Sequence, residues 1–377
     1  TDSEDLRATR RCLTALGARI VRTDAGFAVS GGQAADGSTA DVGESGSTYR
    51  FLLPVASALG VQTRFVLGGR LPERPMQPLI DALAAHGVHI ARAGGAATVS
   101  GRLTGGAYTL PGDVSSQFVS GLALAFPLTG ADCELTIDGR LESRGYVDMT
   151  LGTMSEFGVQ SQFDGTRLRV PGGQKYVSPG DAQTEGDWSC GAVWLTGAAA
   201  SGGEARVTGL RENALQGDCA VADILQKFGA RVAFEGDACR VTGGNLRGAV
   251  IDIADIPDLA PSLALLGAAA EGETALTNAG RLRYKESDRL TAIADTLNAL
   301  GGYARAQGDS LIIRGRRLRG GIVDSMGDHR IAMMAACAAA ISRTPVTILR
   351  AQSVNKSYPD FFRDLEKMGL TAKEADA

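Results

Sequence analysis

The stretch PLIDALAAHGVHIARAGGAATVSG, residues 78–101, sets the pattern from which the fold is read. Its first ten residues place apolar side chains at helical spacing and stop at Gly87, where glycine takes the left-handed C-cap conformation at least cost. The remainder alternates apolar and polar residues on either side of Ala-Gly-Gly, which reads as a two-stranded hairpin. The same helix stop recurs at Gly17, Gly158, Gly229, Gly301 and Gly369, in CLTALG, GTMSEFG, ILQKFG, TLNALG and LEKMG. The six glycines lie 70, 71, 71, 72 and 68 residues apart. That period is longer than the ~20–50 residues of solenoid repeats and suits a compact unit of several strands and helices, used six times.

A second series of helices runs between the first. SGSTYRFLLPVASALG, VSSQFVSGLALAFPL, DWSCGAVWLTGAAA, PDLAPSLALLGAAAEG and DHRIAMMAACAAA start at Ser47, Ser115, Asp187, Asp258 and Asp328, spaced 68, 72, 71 and 70 residues. They are rich in small residues and apolar on every face, so they belong inside their domains with sheets around them. Six glycine-stopped helices stand against five buried ones. One period before Ser47 falls outside the chain, so the arithmetic predicts a first unit without most of its opening half. The Gly/Pro-rich VPGGQKYVSPGDAQTEGD (170–187) interrupts the period at its midpoint and reads as the link between two three-unit lobes, 1–185 and 186–377. Two similar lobes favour a small-molecule site at their interface.

Composition narrows the function. The 377 residues carry a net charge of −4, which gives no basic footprint for nucleic acid. No apolar run reaches the ~18–20 residues of a membrane span. Six cysteines without a C-x-x-C pair read as reduced, buried thiols, and the three histidines show no metal spacing.

The polar residues that carry chemistry sit at the mouths of the buried helices. GESGSTYR (43–50) offers Gly46, Ser47 and Arg50 at a helix start, an anion cradle or a serine cap. DVSSQF (113–118) opens the next buried helix with Ser115, Ser116 and Gln117, as a phosphate grip or as caps. Arg74 precedes a helix-initiating proline in ERP. RLRYKESDRL (281–290) crowds Lys285, Glu286, Asp288 and Arg289 into five residues. Asp258 in DIPDLAP is either an N-cap or a base. Arg330 and Lys356 stand beside further helix starts. Taken together, Arg74, Lys285, Arg289, Arg330 and Lys356 come from different units and would act jointly on a polyanionic ligand.

These motifs, with RLPERP, LESRGYVDMTL, EGDWS, LQGD, IPDLAP and NKSYPDFF, resemble the 5-enolpyruvylshikimate-3-phosphate synthase family from Thr1 to about Gly369. The resemblance implies an α/β fold of the inverse (pseudo-prism) type, two-lobed, built from six βαβαββ units of which the first is incomplete. It implies transfer of the enolpyruvyl group from phosphoenolpyruvate to the 5-hydroxyl of shikimate 3-phosphate by addition and elimination, with no metal and no cofactor. Carried over by motif, Ser115, Ser116, Gln117, Ser143, Asp258 and Lys285 would meet shikimate 3-phosphate. Gly46, Arg74, Gln117, Arg289, Arg330 and Lys356 would meet phosphoenolpyruvate. Asp258 matches the base on the attacking hydroxyl, and Glu286 the group that exchanges a proton with the methylene carbon. Gly46 falls where the family tunes access of the inhibitor glyphosate, and glycine there implies sensitivity. A cytoplasmic monomer is expected.

One departure stands out. The family's opening strand and its K-S-x-S-x-R motif have no counterpart here, so the 377-residue chain alone is expected to be poorly active or inactive. The alternatives are UDP-N-acetylglucosamine enolpyruvyl transferase, which lacks the SSQF, IPDLAP and KESDR pattern, and an inactive ligand-binding remnant.

Overall fold

The computed structural model describes residues 2–374 and divides into two compact units, Asp2–Ala182 and the chain from Gln183 onward. Each unit has its own hydrophobic core. Eleven α-helices alternate between two roles along the described residues. The odd-numbered ones, α1 (Glu4–Ala15), α3 (Gln77–Ala84), α5 (Arg144–Glu156), α7 (Val221–Phe228), α9 (Arg289–Ala299) and α11 (Phe361–Lys367), each run up to one of the six periodic glycines. All six glycines have φ between +82° and +101°, the left-handed conformation that ends a helix and that a side chain would strain.

The even-numbered helices are α2 (Gly46–Leu59), α4 (Ser116–Thr129), α6 (Trp188–Ser201), α8 (Ala260–Ala269) and α10 (His329–Ala338). Nearly every side chain on them is buried, from Ala260 through Ala268 without a break in α8. Small residues allow this. Gly121 of α4 packs its Cα against the Arg50 carbonyl of α2, leaving no room for a Cβ. Gly197 of α6 faces Cys337 of α10, where an added Cβ would already be in contact, 3.4 Å from the Cys337 Cβ and Sγ.

Sheets enclose these helices in a recurring pattern. The strand before a buried helix pairs in parallel with the strand after it: Ser38–Gly43 with Thr63–Leu67 across α2, and Gly106–Pro111 with Cys133–Asp138 across α4. The same holds for Val250–Asp252 with Glu273–Thr277 across α8, and Gly321–Asp324 with Val346–Leu349 across α10. In three of these sheets an antiparallel hairpin completes a four-stranded order. In those three sheets the βαβαββ unit implied by the family resemblance is the unit observed. It matters for chemistry because α2, α4, α8 and α10 each follow the first strand of a parallel pair, and the polar motifs lie at that junction.

The starts of the buried helices differ from the sequence reading at one telling place. Ser115, Asp187 and Asp328 are N-caps, each accepting a backbone N–H from the first turn. Asp258 is not a cap. It sits inside a 3₁₀ turn, Pro257–Leu259, and α8 begins only at Ala260 with no side-chain cap. Its carboxylate is left to side-chain partners.

Candidate active site

Arg289 organises the polar residues of the C-terminal unit. Asp288 caps α9 by accepting the Thr291 N–H, which places Arg289 in the first turn with its side chain 1% exposed. The guanidinium donates to three carboxylates. Nη1 reaches Asp258 Oδ1 at 2.8 Å, Nη2 reaches Glu286 Oε2 at 2.7 Å, and Nε reaches Asp328 Oδ2 at 2.8 Å. Asp328 is fully buried, and it also accepts from Ser287 Oγ at 3.0 Å and caps α10 through the Arg330 N–H.

The remaining cations close the network. Lys285 Nζ donates to Asp258 Oδ1 at 3.1 Å, Arg330 Nη2 to Asp258 Oδ2 at 3.2 Å, and Lys356 Nζ to Glu286 Oε1 at 3.2 Å. Asp258, Lys285, Glu286, Arg289, Arg330 and Lys356 therefore form one connected cluster, although they come from four separate segments of the chain.

Electrostatics follow from this geometry. Burial pushes the Asp258 carboxyl up, but Arg330, Lys285 and Arg289 outweigh it and hold it well below the ordinary aspartate value. Asp328 is likewise held low, burial being overcome chiefly by Arg289. Burial lowers Lys285, with Asp258 opposing and Arg289 reinforcing the shift. Arg289 and Arg330 are shifted upward: burial disfavours their charge, but the surrounding carboxylates more than offset it. Burial, assisted by Arg330, drops His329 to about 3, so this imidazole is neutral.

One further carboxyl borders the cluster. Asp218, 3% exposed, accepts a hydrogen bond from Ser189 Oγ, while its Oδ1 is buried without a hydrogen-bond partner. Burial and the nearby Asp258 charge raise it to about 6, against the pull of Arg330. LQGD was conspicuous in the sequence, but nothing in it signals that Asp218 approaches Asp258 and Arg330. Asp328 was read only as a helix start, and its clamp on Arg289 has no sequence signal either.

In the N-terminal unit the polar residues gather at the starts of α2 and α4. Ser115 caps α4, accepting from the Gln117 N–H at 3.3 Å, and Ser116 is 3% exposed beside it. Gln117 Oε1 accepts from Arg50 Nη1 at 2.7 Å, and the Arg50 guanidinium lies over the Phe118 ring at 5.6 Å. Arg50 links the two helix mouths. Gly46 is the first residue of α2, and a Cβ there would lie 2.8 Å from Arg74 Nη1 and 3.4 Å from Arg50 Nη1. Gly46, Arg74, Arg50 and Gln117 are thus neighbours, and glycine lets the guanidinium approach the helix start. Ser143 is buried at the start of α5 in a left-handed conformation, φ +55°. Arrays of this kind, with helix N-termini, hydroxyls and guanidiniums together, suit phosphate and carboxylate groups.

Comparison with known proteins bears directly on this chemistry. The sequence model of the EPSP synthase (3-phosphoshikimate 1-carboxyvinyltransferase) family matches residues 1–365. A 3-phosphoshikimate 1-carboxyvinyltransferase of Clostridium novyi is 36% identical, over 97% of this chain and 87% of the relative. One from Halobacterium salinarum is 38% identical, over 97% of this chain and 89% of the relative. Among solved structures, an EPSP synthase from Acinetobacter baumannii superposes with a TM-score of 0.81 at 28% identity, covering 98% of this chain and 89% of that one.

Proposed function

We infer the reaction from membership: the chain belongs to the EPSP synthase family and is a shikimate-pathway transferase. It moves the enolpyruvyl group of phosphoenolpyruvate to the 5-hydroxyl of shikimate 3-phosphate and releases phosphate. The family's fold, two lobes of βαβαββ units, is the fold of this chain.

The residue roles are our own reading, and the Arg289 cluster is the observation that carries it. We assign Lys285 and Asp258 in the C-terminal unit, and Ser115, Ser116, Gln117 and Ser143 in the N-terminal unit, to shikimate 3-phosphate. Arg289, Arg330 and Lys356, with Gly46, Arg74 and Gln117, are assigned to phosphoenolpyruvate. In the free protein Asp258 and Glu286 occupy the cations that a substrate carboxylate or phosphate would take. Substrate anions replacing them would strip Asp258 and Glu286 of cation partners and raise their proton affinity. Asp258 then accepts the proton of the attacking 5-hydroxyl. Glu286 delivers a proton to the methylene carbon, giving the tetrahedral adduct, and takes one back from the resulting methyl group as phosphate departs. The arginines supply the electrostatic part by neutralising carboxylate and phosphate.

Gly46 beside Arg74 supports glyphosate sensitivity, since no side chain there crowds the guanidinium. Among the described residues no helix is long and apolar enough to cross a membrane. We take the protein to act as a cytoplasmic monomer, which size-exclusion chromatography and fractionation would check.

The test is phosphate release on mixing the protein with both substrates, alongside calorimetric binding of shikimate 3-phosphate. Asp258→Asn should lower kcat by about 10²–10⁴-fold, the scale of a lost general base, while still binding shikimate 3-phosphate. Binding of UDP-N-acetylglucosamine in preference to shikimate 3-phosphate would overturn the reading. Turnover by Asp258→Asn at the wild-type rate would overturn the role of Asp258.

A further inference from the structure

The three buried helices of the C-terminal unit have a second common end. The last residues of α6 and α8, and the 3₁₀ turn Ala339–Ile341 that continues α10, line one cavity of about 720 Å³. The ion network lies at their other ends, where Asp187, the Asp258 turn and Asp328 begin the same helices. At 1.5 Å per residue, the fourteen residues of α6 separate the two by roughly 20 Å.

Arg247, Arg316 and Arg317 also line this cavity, and all three are exposed. Among the described residues no hydrogen bond or ion pair engages their side chains. Their neighbours on the sheet surface behave differently. Arg314 pairs with Glu273 at 3.1 Å, and Arg240 with Glu204 at 3.3 Å. Glu271 contributes the one carboxylate among the lining residues.

Charge balance decides what such a cavity can hold. Each helix C-terminus carries about half a negative charge on its last carbonyls. Three of them together with Glu271 nearly offset three guanidiniums, so a polyanion meets little net attraction. The charges are nevertheless separated. The end of α8 belongs to the deep wall, where Ala268 and Ala270 are each 2% exposed, whereas Ser201 at the end of α6, Ala340 after α10 and the three guanidiniums are exposed at the rim. A ligand with positive charge at one end and negative at the other satisfies both. Leu246 and Ile341 supply apolar surface between them.

We propose that this cavity binds a small zwitterion of the α-amino-acid type, its ammonium against the buried end of α8 and its carboxylate on Arg247, Arg316 and Arg317. A volume of this size lies within the ~300–1,000 Å³ of small-molecule sites and admits an apolar side chain as well. The proposal does not depend on the reaction assigned above, because its readout is binding.

The experiment is calorimetric titration of the whole protein with L-leucine, with 4-methylpentanoate (the same frame without the ammonium) and with 3-methylbutylamine (without the carboxylate). Leucine should saturate, each half-analogue should bind at least about tenfold more weakly, and Arg316→Ala/Arg317→Ala should weaken leucine by about tenfold or more at unchanged melting temperature. Asp258→Asn should bind leucine as the wild type does. Equal binding of either half-analogue overturns the proposal, as does undiminished binding by the double variant. Absence of saturation by leucine below about 10 mM also overturns it. Loss of leucine binding in Asp258→Asn would place the ligand at the ion network and overturn it equally.

Discussion

Arg50 in the N-terminal unit donates to the amide oxygen of Gln117 and lies on the Phe118 ring, whereas Arg289 in the C-terminal unit is held by three carboxylates. Both guanidiniums are buried near the start of a helix. The difference lies in what each would leave behind. Removing Arg50 takes this donor from the Gln117 amide oxygen. Removing Arg289 strands charge, including an Asp328 carboxylate with no exposure to water. In the first arrangement the hydrogen-bond partner is an amide, which does not titrate. The second ties proton affinity to which cations are occupied, the property an acid–base centre requires.

The largest effect that separates the two is on stability. Arg289→Met should destabilise the C-terminal unit by about 3–5 kcal/mol, the cost of breaking a buried ion-pair cluster from one side. Arg50→Met should cost the N-terminal unit about 1–3 kcal/mol, the range for a buried neutral group that loses its partner. Urea unfolding followed by probes in each unit checks both. Equal costs would erase the comparison.

A second effect is confined to the C-terminal unit and is hidden in the wild type. Asp218 titrates at about 6 when folded and near ~3.9 when unfolded, so it adds stability as pH falls from 6 toward 4. His329 titrates at about 3 when folded and near ~6.5 when unfolded, so it removes stability over the same interval. Each contributes about 1.4 kcal/mol per pH unit, with opposite sign. Wild-type stability from these two groups should therefore be nearly flat between about pH 6 and 4. Asp218→Asn should expose a loss on acidification, and His329→Gln a gain. Parallel pH profiles for all three proteins would refute the pairing.

The smallest effect sharpens the N-terminal side. Gly46→Ala puts a methyl group 2.8 Å from the end of the Arg74 side chain, which can swing away. The KM for phosphoenolpyruvate should rise by roughly three- to tenfold and glyphosate inhibition should weaken, with melting temperature unchanged. An unchanged KM would remove Arg74 from the phosphoenolpyruvate contacts.

Much of the fold was legible because its determinants are local. A glycine that must take positive φ ends each outer helix, and an all-apolar run of small residues marks each buried one, so two interleaved series show a repeated unit of strands and helices before any contact is known. The site was legible only as a set of suspects. Whether Asp258 caps a helix or serves as a base depends on a 3₁₀ turn that postpones the start of α8 by two residues, and no propensity signals that. Arg289 reads as one of several cations for a polyanionic ligand, and nothing in the run signals that α9 turns it inward onto carboxylates 31 and 39 positions away. Asp218 and Asp328 matter through neighbours that only the packing of distant segments within the C-terminal unit supplies.

The central claim is that three cations hold Asp258 ionised in the free protein, so that it becomes a base when substrate anions draw them away. Carbon-13 NMR of aspartate carboxyls, with Asp258→Asn to assign the signal, measures this directly. The Asp258 carboxyl should remain ionised at about pH 4, where ordinary aspartates are half protonated, and should titrate higher in Arg330→Gln. A wild-type midpoint at or above about 4, or one that Arg330→Gln leaves in place, would contradict the account.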